Sequence, residues 1–156
     1  MRIKGTEIPM PQEEVVVIPR EPENFVFTLK PVLDFSKFEE MCPEPTPPKK
    51  TFPGGREETD YENPTFRDKL EDWSRKRGHW IQLESLSATE GLEWETVELS
   101  DPETWKNYAD EMQKTLSPSE FMKIIQAISV ACGLDSSKIE EATANFLADR
   151  EKTQSE

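Results

Sequence analysis

A chain of 156 residues has room for one domain, or for one domain with a small appendage. Hydrophobic residues make up 34% of it and charged residues 33%, which limits it to a modest core with extended flanks. A net charge of −13 opposes contact with nucleic acid or anionic membrane and favours a basic partner or simple solubility.

The acid is concentrated. Residues 84–156 hold sixteen Asp or Glu against six Lys or Arg, so −10 of the total lies there. Cys42 and Cys132 are the two cysteines, one in a Pro-rich stretch and the other on an apolar helix. That placement argues against a framework disulfide and fits a reducing compartment. The opening MRIKGTEIPM lacks the apolar segment of a signal peptide, and no run is long enough to span a bilayer. The expectation is a soluble, intracellular protein.

In chain order, residues 1–12 read as a loose arm with Pro9 and Pro11. Glu14–Ile18 and Asn24–Lys30 read as strands, the first a run of β-branched residues, the second alternating Phe25, Phe27 and Leu29 with Val26 and Thr28. Pro19, Glu21 and Pro22 shape the connection. Phe35, Phe38 and Met41 at spacings of three suggest a short helix packed on those strands. Two strands alone are marginal, so this unit, residues 1–41, needs support from the rest of the chain or from a second copy.

Residues 42–60 change character. Pro43, Pro45, Pro47, Pro48 and Pro53 precede Gly54 and Gly55, which reads as a stiff linker followed by a flexible joint. PEPTPP also offers the PxxP spacing of a ligand for a proline-recognising domain; a spacer is the commoner use of such a composition.

Residues 61–150 read as a helical domain, with residues 151–156 as a fraying tail. Asn63 and Pro64 open a helix carrying Phe66, Leu70 and Trp73, with Arg67, Lys69, Arg75, Lys76 and Arg77 opposite, and Gly78 is its expected end. Trp80, Ile81, Leu83 and Leu86 form a short apolar piece, strand or helical turn. GLEWETVEL reads as a strand or extended segment. Ser100, Asp101, Pro102 and Glu103 predict a helix start, followed by Trp105, Tyr108, Ala109, Met112 and Leu116 along one stripe.

The stretch Pro118–Cys132 is apolar nearly all round: Phe121, Ile124, Ile125, Ile128 and Cys132 on one side, Met122, Ala127 and Val130 on the other. Ser117, Pro118 and Glu120 give it a capping-box start and Gly133 a left-handed stop. Such a helix has to be covered on most sides. Its expected covers are the Trp105–Leu116 helix, the Trp94 segment and a last helix, opened by Ser137 and Glu140, whose Ile139, Ala142, Phe146 and Leu147 face inward. The fold class is α+β: a mostly helical C-terminal domain, a short β unit at the N-terminus and a Pro-rich linker between them.

Catalytic signatures are missing. His79 is the single histidine, and two cysteines with one histidine cannot fill a tetrahedral zinc site without a carboxylate. There is no CxxC, HExxH or phosphate-binding glycine loop, and no alternation of acids around a glycine suited to calcium. The expectation is a non-enzyme with no cofactor and no metal. The basic cluster around Arg75, beside His79 and Trp80, admits a nucleic-acid contact, but in so acidic a chain it more readily offsets the C-terminal acid. Trp73, Trp80, Trp94 and Trp105 read as core, with a partner surface using one or two of them as the alternative.

The pattern GLEWETVELSDPETW, then an apolar helix, then ACGLDSSKIEEATANFL resembles the tail assembly chaperones of long-tailed bacteriophages. Trp94, Glu95, Val97, Asp101, Pro102, Trp105, Leu134, Ile139, Glu141, Ala142, Phe146 and Leu147 carry the likeness, and KPVLDFSKFEEMCPEPTPP resembles the N-terminal part of some members. The resemblance implies a protein that escorts the tape-measure protein in the host cytoplasm before the tail tube polymerises and is absent from the mature virion. It implies no catalytic residues. Its expected partners are the tape-measure protein and further copies of itself, with no nucleic acid and no membrane. A partner helix would lie against the apolar edge of the C-terminal helices, at Trp105, Met112, Phe121, Ile125, Phe146 and Leu147. Two other classes fit the composition: an acidic DNA mimic that inhibits a host nucleic-acid enzyme, and a structural tail component.

Overall fold

The computed structural model describes residues 1–134 and 136–154. They form an α+β fold of small antiparallel strand pairs with the long helices toward the C-terminus. The strands are β1 (Arg2–Ile3), β2 (Thr6–Glu7), β3 (Glu14–Ile18), β4 (Phe25–Leu29), β5 (Lys49–Thr51) and β6 (Glu57–Thr59), each paired with its neighbour in a two-stranded hairpin. The helices are α1 (Ser36–Met41), α2 (Pro64–Leu86), α3 (Asn107–Thr115), α4 (Pro118–Ala131) and α5 (Ser137–Gln154).

The apolar helix α4 starts as its sequence dictates. The Glu120 N–H donates to Ser117 Oγ and the Ser117 N–H donates to Glu120 Oε2, a reciprocal capping box with Pro118 in the first turn. Ile124, Ile128 and Ala131 are buried. Their covers differ from those expected. The β3–β4 hairpin and α2 pack on α4 together with α3, whereas no described residue of α5 belongs to the core cluster.

The N-terminal hairpin therefore leans on the helices. Val16 pairs with Phe27 and Ile18 with Phe25, and Val16, Ile18, Phe27 and Leu29 join the core. Hydrogen bonds fix its second strand to the end of α2. The Lys30 N–H donates to Ser85 O at 3.1 Å and Ser85 Oγ donates to Lys30 O at 2.8 Å. The Thr28 N–H donates to Thr89 Oγ1, which returns a bond to Thr28 O, both at 3.0 Å. Without these partners the exposed edge of β4 would be left to water.

Helix α2 runs through Gly78 to Leu86, so the helix and the short apolar piece expected after it are one element. A glycine inside a helix costs about 1 kcal/mol relative to alanine. Burying Trp80, Leu83 and Leu86 is worth roughly 1.5–3 kcal/mol for each side chain, and the helix continues. Arg77 does not break the stripe, because its guanidinium lies over the Phe35 ring, 4.5 Å from the centroid.

The six-residue α1 is held by one side chain. Phe38 is fully buried, with ring centroids 5.7 Å from Trp73, 5.7 Å from Trp80 and 6.2 Å from Trp105. Three of the four tryptophans thus close around it. Trp73 Nε1 donates to Cys42 O, and Trp105 Nε1 donates to Leu99 O.

Two further expectations change. The Pro-rich stretch is not a bare linker: Lys49–Thr51 and Glu57–Thr59 form a hairpin with Gly54 and Gly55 at φ +97° and +84° in its turn. Of the two forms expected for GLEWETVEL, a strand or an extended segment, the strand is absent. The Glu95 and Thr96 N–H groups and Thr96 Oγ1 all donate to the Glu111 carboxylate, which holds this segment to α3 in place of a ladder. Turns occupy residues 102–106, so Trp105 precedes its helix. Of the expected tail, Glu151–Gln154 continue α5, and residues 155 and 156 lie outside the described residues.

Candidate partner-binding surface

Helix α4 ends in a left-handed turn. Gly133 has φ +68°, the Gly133 N–H donates to Val130 O, and the Leu134 N–H donates to Ser129 O. Beyond the turn, Ser136 Oγ donates to Glu140 Oε1 at 2.8 Å in the first turn of α5. Lys138 Nζ lies 3.0 Å from Glu14 Oε1, which brings the start of α5 beside the start of β3. From there α5 stands free of the core.

Its apolar residues Ile139, Phe146 and Leu147 are 66%, 61% and 51% exposed. They were expected to face inward, and this is a correction. The buried face of α4, at Ile124, Ile128 and Ala131, packs on the β3–β4 hairpin, α2 and α3, and α5 does not join it. Arg150 reaches back over the Phe146 ring at 5.9 Å.

A second uncovered face lies on the outside of the β3–β4 hairpin. Val15, Val17 and Val26 are 51–58% exposed there, with Phe25 at the turn end. Sequence reasoning missed this face, although the signal was present. Four consecutive apolar β-branched residues, Val15 to Ile18, put side chains on both faces of a strand, and a hairpin with only one packed face leaves half of them bare.

The residues expected to meet a partner separate into three groups. Trp105 and Met112 are buried and offer no surface. Phe121 and Ile125 are half-buried against the core. Phe146 and Leu147 stand open on α5, so the six do not form one patch. A shallow groove of about 280 Å³ opens between Trp94, Leu92, Phe27 and Leu116, with Glu93, Glu95 and Lys114 on its rim.

The basic cluster on α2 is engaged within the chain. Lys76 Nζ bridges Asp72 at 2.9 Å and Glu103 at 2.5 Å, and these partners raise its pKa above the ordinary lysine value. Arg75 pairs with Glu71, and Arg67 with Glu62. His79 packs edge-on against Tyr108, and burial followed by the charge of Arg75 lowers its pKa. Burial raises the Cys42 thiol pKa. Among the described residues, no group of three His, Cys, Asp or Glu side chains could hold a metal ion. Nor is any described helix long and apolar enough to cross a membrane.

A further ion pair joins the β3–β4 turn to the start of α4. Arg20, at the β3–β4 turn, meets Glu120 in a bidentate contact, with both N–O distances at 2.7 Å, and also donates to Thr115 O. Arg20 and then the Ser117 N–H lower the Glu120 pKa to about 2. Comparison with protein-family models, with curated proteins and with solved structures finds no match for this chain.

Proposed function

We propose that the chain is a tail assembly chaperone of a long-tailed bacteriophage, which binds the tape-measure protein in the host cytoplasm and leaves before the virion is complete. The observation that carries this reading is the open stripe of Ile139, Phe146 and Leu147 on α5, presented by a body of charge −13. A free-standing amphipathic helix is suited to lie against another helix along an i, i+3, i+7 stripe. A tape-measure protein is a long helical chain with apolar stripes that aggregates alone. Several chaperone copies, each covering a few turns, would keep those stripes from meeting one another. The acid of each copy would then hold the complexes apart in solution.

The test is co-expression with the tape-measure protein, reading the soluble fraction after centrifugation. The parent chain is expected to raise that fraction, and Phe146→Asp combined with Leu147→Asp to abolish the effect while the chaperone itself stays soluble. Equal rescue by the double variant would overturn the reading. Ile125→Asp makes a useful contrast, since a half-buried residue should fail through loss of fold.

A further inference from the structure

Each chain carries two uncovered apolar faces, the outer face of the β3–β4 hairpin and the stripe on α5, and the elements that carry them start side by side at Glu14 and Lys138. They do not meet within one chain. The start of α5 lies beside the start of β3 through Lys138 and Glu14, and none of its side chains described is buried. We infer that the hairpin's outer face receives α5 of a second copy, and that two chains exchange these helices reciprocally.

The dimensions match. Five residues of β3 span about 13 Å at roughly 3.3 Å per residue. Ile139 to Leu147 spans about 12 Å at 1.5 Å per residue. A helix laid along β3 thus places its three large side chains over Val15, Val17 and Val26. The charges agree with one orientation: with Ile139 near the start of β3, Arg150 comes to the turn end, where Glu21 and Glu23 stand. The opposite orientation would bring Arg150 to Glu14, which already pairs with Lys138.

The area is sufficient as well. Six side chains about half-exposed, each losing roughly 80–100 Å² and counted twice in a reciprocal pair, remove about 1,100 Å², at the lower end of specific interfaces. Reciprocal exchange closes the assembly at two copies. Two bodies of charge −13 repel at low salt, whereas the apolar contact is unaffected, so association strengthens as salt screens the charge. The inference concerns the chain alone and stands whether or not the tape-measure protein is its partner; a partner helix on the same stripe would displace the second copy.

The experiment uses the full chain in sedimentation equilibrium at 0.05 M and 0.5 M NaCl. The expected result is a mass twice the 18.0 kDa of the chain, with a larger dimer fraction at 0.5 M than at 0.05 M NaCl. Val17→Lys and Phe146→Asp should each return the monomer with unchanged far-ultraviolet circular dichroism. In a background of Cys42→Ser and Cys132→Ala, one copy carrying Val17→Cys and another carrying Ala142→Cys should form a disulfide dimer when mixed and oxidised. A monomer at every salt and concentration overturns the inference. So does a dimer that both variants leave intact, or pairing of the two cysteines only within a single doubly substituted chain.

Discussion

The same substitution at two positions separates the core from the surface. Phe38 is fully buried, its ring enclosed by Trp73, Trp80 and Trp105, and it supplies the buried anchor of α1. Phe38→Ala removes the ring and leaves a cavity, which costs about 3–5 kcal/mol. Loss of the aromatic contacts puts it toward the upper end, since each is worth about 0.5–1.5 kcal/mol beyond area. Against a total stability of roughly 5–15 kcal/mol, that is about a fifth or more. At about 2–4 °C per kcal/mol for a chain of this size, the melting temperature should fall by roughly 6–20 °C. Phe146→Ala removes the same atoms from a residue that is 61% exposed, and should change stability by no more than about 0.5 kcal/mol. Urea unfolding followed by tryptophan emission measures both, and the folded Phe38 variant should also emit further to the red because water reaches the three indoles. A loss under 1 kcal/mol for Phe38→Ala would refute the aromatic anchor. A loss above 1 kcal/mol for Phe146→Ala in dilute monomer would mean that α5 packs on its own core.

Other outcomes follow from single contacts. Gly78→Ala should stabilise the chain by about 0.5–1 kcal/mol, because a Cβ there meets nothing within 4 Å in the middle of a helix; a loss of stability in the same urea titration would show that α2 is not continuous. Ser85→Ala should cost about 1–3 kcal/mol by leaving Lys30 O without its buried donor. Glu120 has its folded pKa lowered to about 2, so its contribution is complete above the usual carboxylate range near 4.3 and is lost as pH falls toward 2. Glu120→Gln should therefore flatten the acid limb of the stability profile between those values; an unchanged slope would mean that Arg20 is not its partner in solution.

How far the sequence could be read depended on whether each signal was local. The capping box at Ser117 and Glu120 and the left-handed stop at Gly133 are decided within four residues, and α4 stands where they place it. The paired strands at Glu14–Ile18 and Phe25–Leu29 follow from β-branched and alternating residues in the same way. Gly78 misled because a local cost of about 1 kcal/mol is outweighed by burial at Trp80, Leu83 and Leu86, which only the tertiary fold reveals. GLEWETVEL alternates like a strand yet has no partner strand, and the Glu111 carboxylate, over a dozen residues away, takes its N–H groups instead. The candidate surface was legible in part. Phe146 and Leu147 could be named from α5's stripe, but a stripe does not say whether it faces inward or outward.

That last ambiguity bears directly on function. The buried face of α4 is packed by the hairpin, α2 and α3 without any residue of α5. Helix α5 in turn carries three large apolar side chains at more than half exposure. Exposing them permanently would invite aggregation, which the charge of −13 opposes without removing the cause. Both proposals answer the same physical need: the stripe is covered by a second copy when the chain is alone and by a partner helix when one is present. Adding a soluble segment of the tape-measure protein to the dimer should therefore release monomer–partner complexes in sedimentation. Binding that leaves the dimer whole would show that partner and second copy use different faces.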